Sequence, residues 1–126
     1  MYLVDTNVIL EILLNDANSL SCISFMKEHK GKLYISDFSI NSIGVITYRL
    51  GKLELFGEFL ADILPHIHIA RLPEYSFSGI IDAIKTHSLD YDDAYQLVAA
   101  QEYELEIVTQ DKDFKKVIGE ISVIYL

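Results

Sequence analysis

Short β-prone runs recur along the chain, each followed by a stretch whose apolar residues carry helical spacing, and this alternation leaves few folds open. Tyr2–Val4 is β-prone. Asp5-Thr6-Asn7 is rich in capping side chains, and Val8–Leu14 is apolar except for Glu11. This spells strand, turn, helix. Leu20–Lys30 reads as a helix closed by Gly31, Lys32–Ile35 as a second strand, and Phe38–Leu50 as a helix capped by Ser36 and Asp37 and stopped at Gly51. Over Lys52–Leu64, Leu53, Leu55, Phe56, Phe59, Leu60, Ile63 and Leu64 share a helical period that Pro65 ends. Ile67–Leu72 alternates as a third strand does, and Pro73 suits the first turn of a helix reaching Lys85. Tyr91–Tyr103 reads as a helix, Glu106–Thr109 as a fourth strand, residues 112–118 as a short helical turn and Ser122–Tyr125 as a last strand. Strands alternating with helices of this length build βαβ units around a parallel sheet, so the fold class is α/β.

At 126 residues, with no repeat, linker or shift in composition, the chain suits one domain over residues 1–126. Its 51% hydrophobic and 23% charged residues can form a core, which excludes a disordered chain. One cysteine, Cys22, gives no internal disulfide and no sign of an oxidising compartment. The N-terminus has neither the basic flank nor the apolar run of a signal peptide, and no stretch approaches a membrane span. The expected location is the cytoplasm, with no membrane partner.

A net charge of −9 argues against broad electrostatic binding of nucleic acid. The acids are concentrated, however, at Asp90–Asp93 and Asp111–Asp113. Three positions stand out. Asp5 lies just past the first strand, Asp111 two residues past the end of the fourth, and Asp93 opens the helix leading into the fourth. Ligands of an open parallel sheet bind outside the carboxyl ends of its strands. Carboxylates gathered there repel one another and hold their protons tightly unless a cation lies among them. Hard oxygen ligands suit Mg²⁺ or Mn²⁺, and no Cys/His cluster suggests zinc. Histidines 29, 66, 68 and 87 lack ligand spacing; His66 and His68 fall on one face of the third strand. Each aspartate taken singly has a plain alternative, since Asp5 and Asp90–Asp93 both stand where helix caps stand.

The residues resemble a known family, the PIN domain, in particular its short VapC-like toxin ribonucleases. Tyr2-Leu3-Val4-Asp5-Thr6-Asn7-Val8 is similar to the family's first strand and first acid. Asp93–Ala100 is similar to its acid-led, alanine-rich helix, and Ile107–Phe114 to its strand, threonine and final acid. The resemblance implies a Rossmann-like sheet of four to five strands in the order 3-2-1-4-5. It also implies a metal-dependent endoribonuclease that hydrolyses RNA phosphodiester bonds, a homodimer, and an antitoxin protein partner. Asp5, Asp93 and Asp111 are then the ligands of Mg²⁺ or Mn²⁺. The metal would polarise the scissile phosphate and acidify a water. Thr109 would bond the carboxylates or the water, with Asp92, Asp113 and Asn7 in support.

One position departs from the pattern. The family carries a glutamate early in the helix after the second strand, whereas Phe38–Leu50 contains no carboxylate. Ser42 stands near the expected place with Asn41 beside it, and Asp37 lies earlier, before the helix. A PIN domain that binds RNA or protein without cutting is therefore the alternative reading. Lys112, Lys115 and Lys116, with Arg49 and Lys52, are candidate phosphate contacts. Tyr91, Tyr95 and Tyr103 have the spacing of packing residues. A receiver-like phosphoryl-transfer domain would want a glycine-rich phosphate loop, which the chain lacks.

Overall fold

The computed structural model describes residues 1–117 and 119–126. Ile118, the last residue of the expected turn over 112–118, lies outside the described residues. The chain runs β1 (Tyr2–Val4), α1 (Thr6–Leu13), α2 (Ser19–Glu28), β2 (Leu33–Ser36), α3 (Asp37–Arg49), α4 (Leu53–Glu58), β3 (His68–Ala70), α5 (Ser78–His87), α6 (Tyr91–Glu102), β4 (Glu106–Thr109) and β5 (Val123–Tyr125). The strands form one parallel sheet of five, ordered β3-β2-β1-β4-β5. The α/β architecture read from the sequence, and the strand order that the resemblance implied, are those observed.

Side-chain alternation along the strands divides the core between the two faces. Leu3 and Ile107 face the layer of α5 and α6, meeting Ile80, Leu97 and Phe114. Val4, Val108, Leu33 and Ile35 face the layer of α1 to α3, meeting Val8, Ile43 and Phe59. Both layers are sealed by side chains with no exposed surface, Phe114 in the first and Phe59 in the second.

Local chemistry sets the boundaries. The Ser36 hydroxyl accepts from the Ser39 amide at 3.0 Å, capping α3 and turning the chain away from β2. Past α3, Gly51 takes φ +69°, a left-handed turn that glycine adopts without strain.

Three expectations need correcting. The helix expected over Lys52–Leu64 is α4 followed by a π-helical turn over Phe59–Ile63 and a 3-10 turn over Leu64–His66. The Leu64 amide reaches back five residues to Phe59, and Pro65, with no N–H, cannot continue the ladder. The third strand is shorter than Ile67–Leu72, because β2 ends at Ser36, which pairs with Ala70, and nothing remains beyond it to pair with. His66 therefore lies in the 3-10 turn and does not share a strand face with His68. Pro73 precedes a separate 3-10 turn, Glu74–Ser76, so the helix begins only at Ser78.

Candidate metal centre

The β1–β4 register pairs Val4 with Val108, and the Asp5 amide extends the ladder by donating to the Val108 carbonyl at 2.9 Å. Asp5 thus leaves the sheet beside the end of β4. Its carboxylate is surrounded by donors. Oδ1 accepts from the Thr6 amide at 2.8 Å and from Gln96 Nε2 at 3.3 Å. Oδ2 accepts from the Thr109 hydroxyl at 2.8 Å and from Asn7 Nδ2 at 3.2 Å. Asp5 caps α1 and also belongs to the acidic edge; the structure joins the two roles. Burial pushes its pKa up to about 6. The bonds from Thr109 and Thr6 pull it back, and the charges of Asp111 and Asp92 add to the rise.

Thr109 has no exposed surface and links two of the acids. Its hydroxyl donates to Asp5 and accepts from the Asp111 amide at 2.9 Å, which fixes the start of the loop past β4. Asn7 braces the same corner. Its Nδ2 also reaches Thr109 Oγ1 at 3.1 Å, and its Oδ1 accepts from the Gln110 amide at 3.1 Å. Asp111 in turn accepts from the Asp113 amide at 2.8 Å, curling the segment so that both side chains stay at the edge.

Asp93 arrives from the other direction. It is the third residue of α6, a helix buried on all sides from Asp93 to Ala100. Three alanines there, Ala94, Ala99 and Ala100, let the helix lie close between the sheet and α5, where Gly79 faces Val98. Burial raises the Asp93 pKa to about 7, and the charges of Asp92, Asp111, Asp5 and Asp113 push the same way. No protein donor binds its carboxylate among the described residues. One oxygen each from Asp93, Asp111 and Asp113 lie within 4.8 Å of one another, and so do oxygens from Asp90, Asp92 and Asp93. Asp5 joins neither of these groups; it sits deeper, tied to Asp111 through Thr109. Asp113, expected to support the ligands, offers an oxygen to the same group as Asp93 and Asp111.

A PIN domain model matches the sequence over residues 2–120. The chain belongs to the PIN domain family. No curated protein matches it significantly. Solved structures do. The toxin–antitoxin complex from Klebsiella pneumoniae is 20% identical, with 98% of this chain and 96% of that one aligned at a TM-score of 0.77. FitAcB from Neisseria gonorrhoeae is 24% identical over 98% and 96% of the two chains, at 0.75. VapC20 from Mycobacterium tuberculosis, described as a toxin that cleaves the sarcin–ricin loop, is 12% identical over 91% and 93%, at 0.80. At these identities the likeness is one of fold.

The donor set of this PIN domain fits a hard divalent cation. It is oxygen only, and metal–oxygen distances of roughly 2.0 to 2.6 Å let ligand oxygens stand up to about 5 Å apart, while those of Asp93, Asp111 and Asp113 lie within 4.8 Å of one another. On the α3 side the edge is neutral. Ser39, fully buried, accepts from the Thr6 hydroxyl at 2.8 Å and from the Gln96 amide. Ser42 is half-buried one turn further on. Asp37 accepts from the Tyr95 phenol at 2.7 Å and from its neighbouring amide, so its charge is engaged on the Phe38–Tyr95 side.

Gln96 is the member of the site that the sequence reading passed over; a polar residue inside a buried, alanine-rich helix was the available signal. Of the tyrosines expected to pack, Tyr95 is buried, while Tyr91 and Tyr103 are partly exposed. Lys112 and Lys115 are exposed beside the acids, and Lys116 donates to the Ser88 carbonyl at 3.2 Å. Arg49 lies twelve residues along α3 from Asp37, roughly 18 Å by helix rise, with Lys52 beyond it. That distance removes both from the acidic edge.

Proposed function

We propose that this PIN domain, taken as residues 1–126, is a Mg²⁺- or Mn²⁺-dependent endoribonuclease and the toxin of a toxin–antitoxin pair. It would act in the cytoplasm as a homodimer. The observation that carries the reading is the convergence of Asp93, Asp111 and Asp113 within one ion's reach, with Asp5 buried behind them and joined through Thr109. The antitoxin partner is inferred from neighbours of the same fold, one of them titled a toxin–antitoxin complex. No helix among the described residues is long and apolar enough to cross a membrane.

In this reading Asp5, Asp93 and Asp111 hold the ion and Asp113 completes the edge. The bound ion would supply charge neutralisation at the scissile phosphate and a more acidic water. Thr109 keeps Asp5 aimed and the Asp111 backbone in place. The donor-free carboxylate of Asp93 faces the site without a competing protein bond. Lys112 and Lys115 offer positive charge to the RNA backbone next to the acids, a local contact on a chain whose net charge is −9.

The test is cleavage of a structured RNA in Mn²⁺, with and without EDTA, alongside Asp111→Asn. Cleavage should need the ion and should vanish in the variant while its circular dichroism stays native. Cleavage that persists in EDTA would sink the proposal. The absence of a carboxylate from Phe38 to Leu50 favours a second reading, RNA or protein binding without cutting. RNA retained by the protein without turnover, together with no Mn²⁺ uptake, would support that reading instead.

A further inference from the structure

The amide of Gln96 is only half satisfied. Gln96 is 1% exposed, and its Nε2 commits its two protons to Asp5 Oδ1 and Ser39 Oγ. Its Oε1 is buried with no hydrogen-bond partner, the one such side-chain atom found among the described residues. Turning the amide over does not help, because an ionised carboxylate only accepts and would then face the carbonyl oxygen. The orphan oxygen is bonded to the same carbon as the nitrogen that touches Asp5, so it stays in the immediate surroundings of that carboxylate.

A buried acceptor left unpaired is unfavourable, and the neighbours Ala94, Leu97, Val98, Ala99 and Ala100 offer it no side-chain donor. The nitrogen of the same amide touches Ser39 of α3, and beyond Asp37 that helix supplies no carboxylate. Amide carbonyls are ordinary ligands of hard cations.

We propose that Gln96 Oε1 is a direct oxygen ligand of the divalent cation. This neutral donor takes up part of the role that a carboxylate on α3 would fill. The inference rests on the metal-binding reading above and adds to it a residue from α6, one turn along from Asp93. The nitrogen and the oxygen of one side chain then serve different ends: the first holds Asp5 in place, the second faces the ion.

Calorimetric titration with MnCl₂, at pH 7.5 and with circular dichroism as the check on folding, separates the possibilities. Gln96→Met keeps the length of the side chain and removes both functions; its Mn²⁺ affinity should fall by about 10-fold or more. Gln96→Glu keeps an oxygen there and adds charge; it should bind Mn²⁺ at least as tightly as the wild type. Two results overturn the inference: Q96M binding Mn²⁺ like the wild type, or Q96E weakened as much as Q96M, which reduces Gln96 to a prop for Asp5. If Q96M does not fold, Q96E alone decides by the same criterion of unweakened binding. Wild-type protein that takes up no Mn²⁺ would instead remove the metal-binding reading itself.

Discussion

Asp93→Asn tests the electrostatics of the acidic edge by removing one charge at nearly constant shape. Burial and the four acids around it raise the Asp93 pKa from an ordinary 3.8 to about 7. Below pH 3.8 folded and unfolded chains both hold the proton. Between about pH 4 and 7 the unfolded chain releases it while the folded chain keeps it, so the native state loses stability as pH rises, and the loss is complete above about 7. At about 1.4 kcal/mol per tenfold change in proton affinity, the full displacement corresponds to about 4 kcal/mol. Water and salt screen the repulsion from the exposed acids around it, so about half of that is the expected effect. Asparagine also gives up the attraction between a first-turn charge and the helix dipole, about 0.5 kcal/mol. Metal-free D93N should therefore be more stable than wild type by about 1.5 kcal/mol at pH 8. For a domain of this length that raises Tm by roughly 5 °C. The advantage should disappear near pH 4. Mn²⁺ should reverse the order at pH 8, raising the melting point of the wild type and leaving the variant where it was. Thermal melts across pH, in EDTA and in MnCl₂, read all of this directly. A D93N protein that melts below wild type at pH 8 in EDTA would refute the reasoning.

Two further substitutions probe the frame around the cluster. Thr109→Val takes a donor from Asp5 and an acceptor from the Asp111 amide and Asn7, all in a buried corner. It should lower Tm by on the order of 10 °C and weaken Mn²⁺ binding by about 10-fold; a melting point equal to wild type would contradict the bridging role. Ser42→Glu puts a carboxylate on α3 one turn beyond Ser39, on the same helix face. Calorimetry should show Mn²⁺ binding about 10-fold tighter, and unchanged affinity would mean that this face of α3 does not reach the ion.

The sheet was legible because each strand-forming run ends at a residue that announces a turn. Val4 gives way to Asp5, Ile35 to Ser36-Asp37, and Thr109 to Gln110-Asp111, so the alternation of strands and helices and the positions of three acids followed from local chemistry, while the strand order came from the family resemblance. What the sequence concealed depended on partners. The end of β3 was fixed by where β2 stops, and the π-helical turn over Phe59–Ile63 leaves Phe59 packed with Val8 and Ile43. Gln96 was hidden for the same reason. Its spacing marks it only as one more inward residue of α6, and its neighbours, Asp5 and Ser39, are 91 and 57 positions away along the chain. Asp113 was recognisable as an acid, but its place beside Asp93 depends on the curl imposed by its amide bond to Asp111.

Three acids of the edge are immediate sequence neighbours of residues locked in the interior: Asp5 follows Val4, Asp93 precedes Ala94, and Asp113 precedes Phe114, all three of these partners fully covered. The carboxylates consequently cannot spread apart without dragging core residues out of place. Their mutual antagonism is settled when the chain folds, and an arriving cation has no loose arms to collect. Affinity at such an edge is governed by how many oxygens the scaffold already presents, and repairs to it belong in the scaffold's first turns and not in its loops.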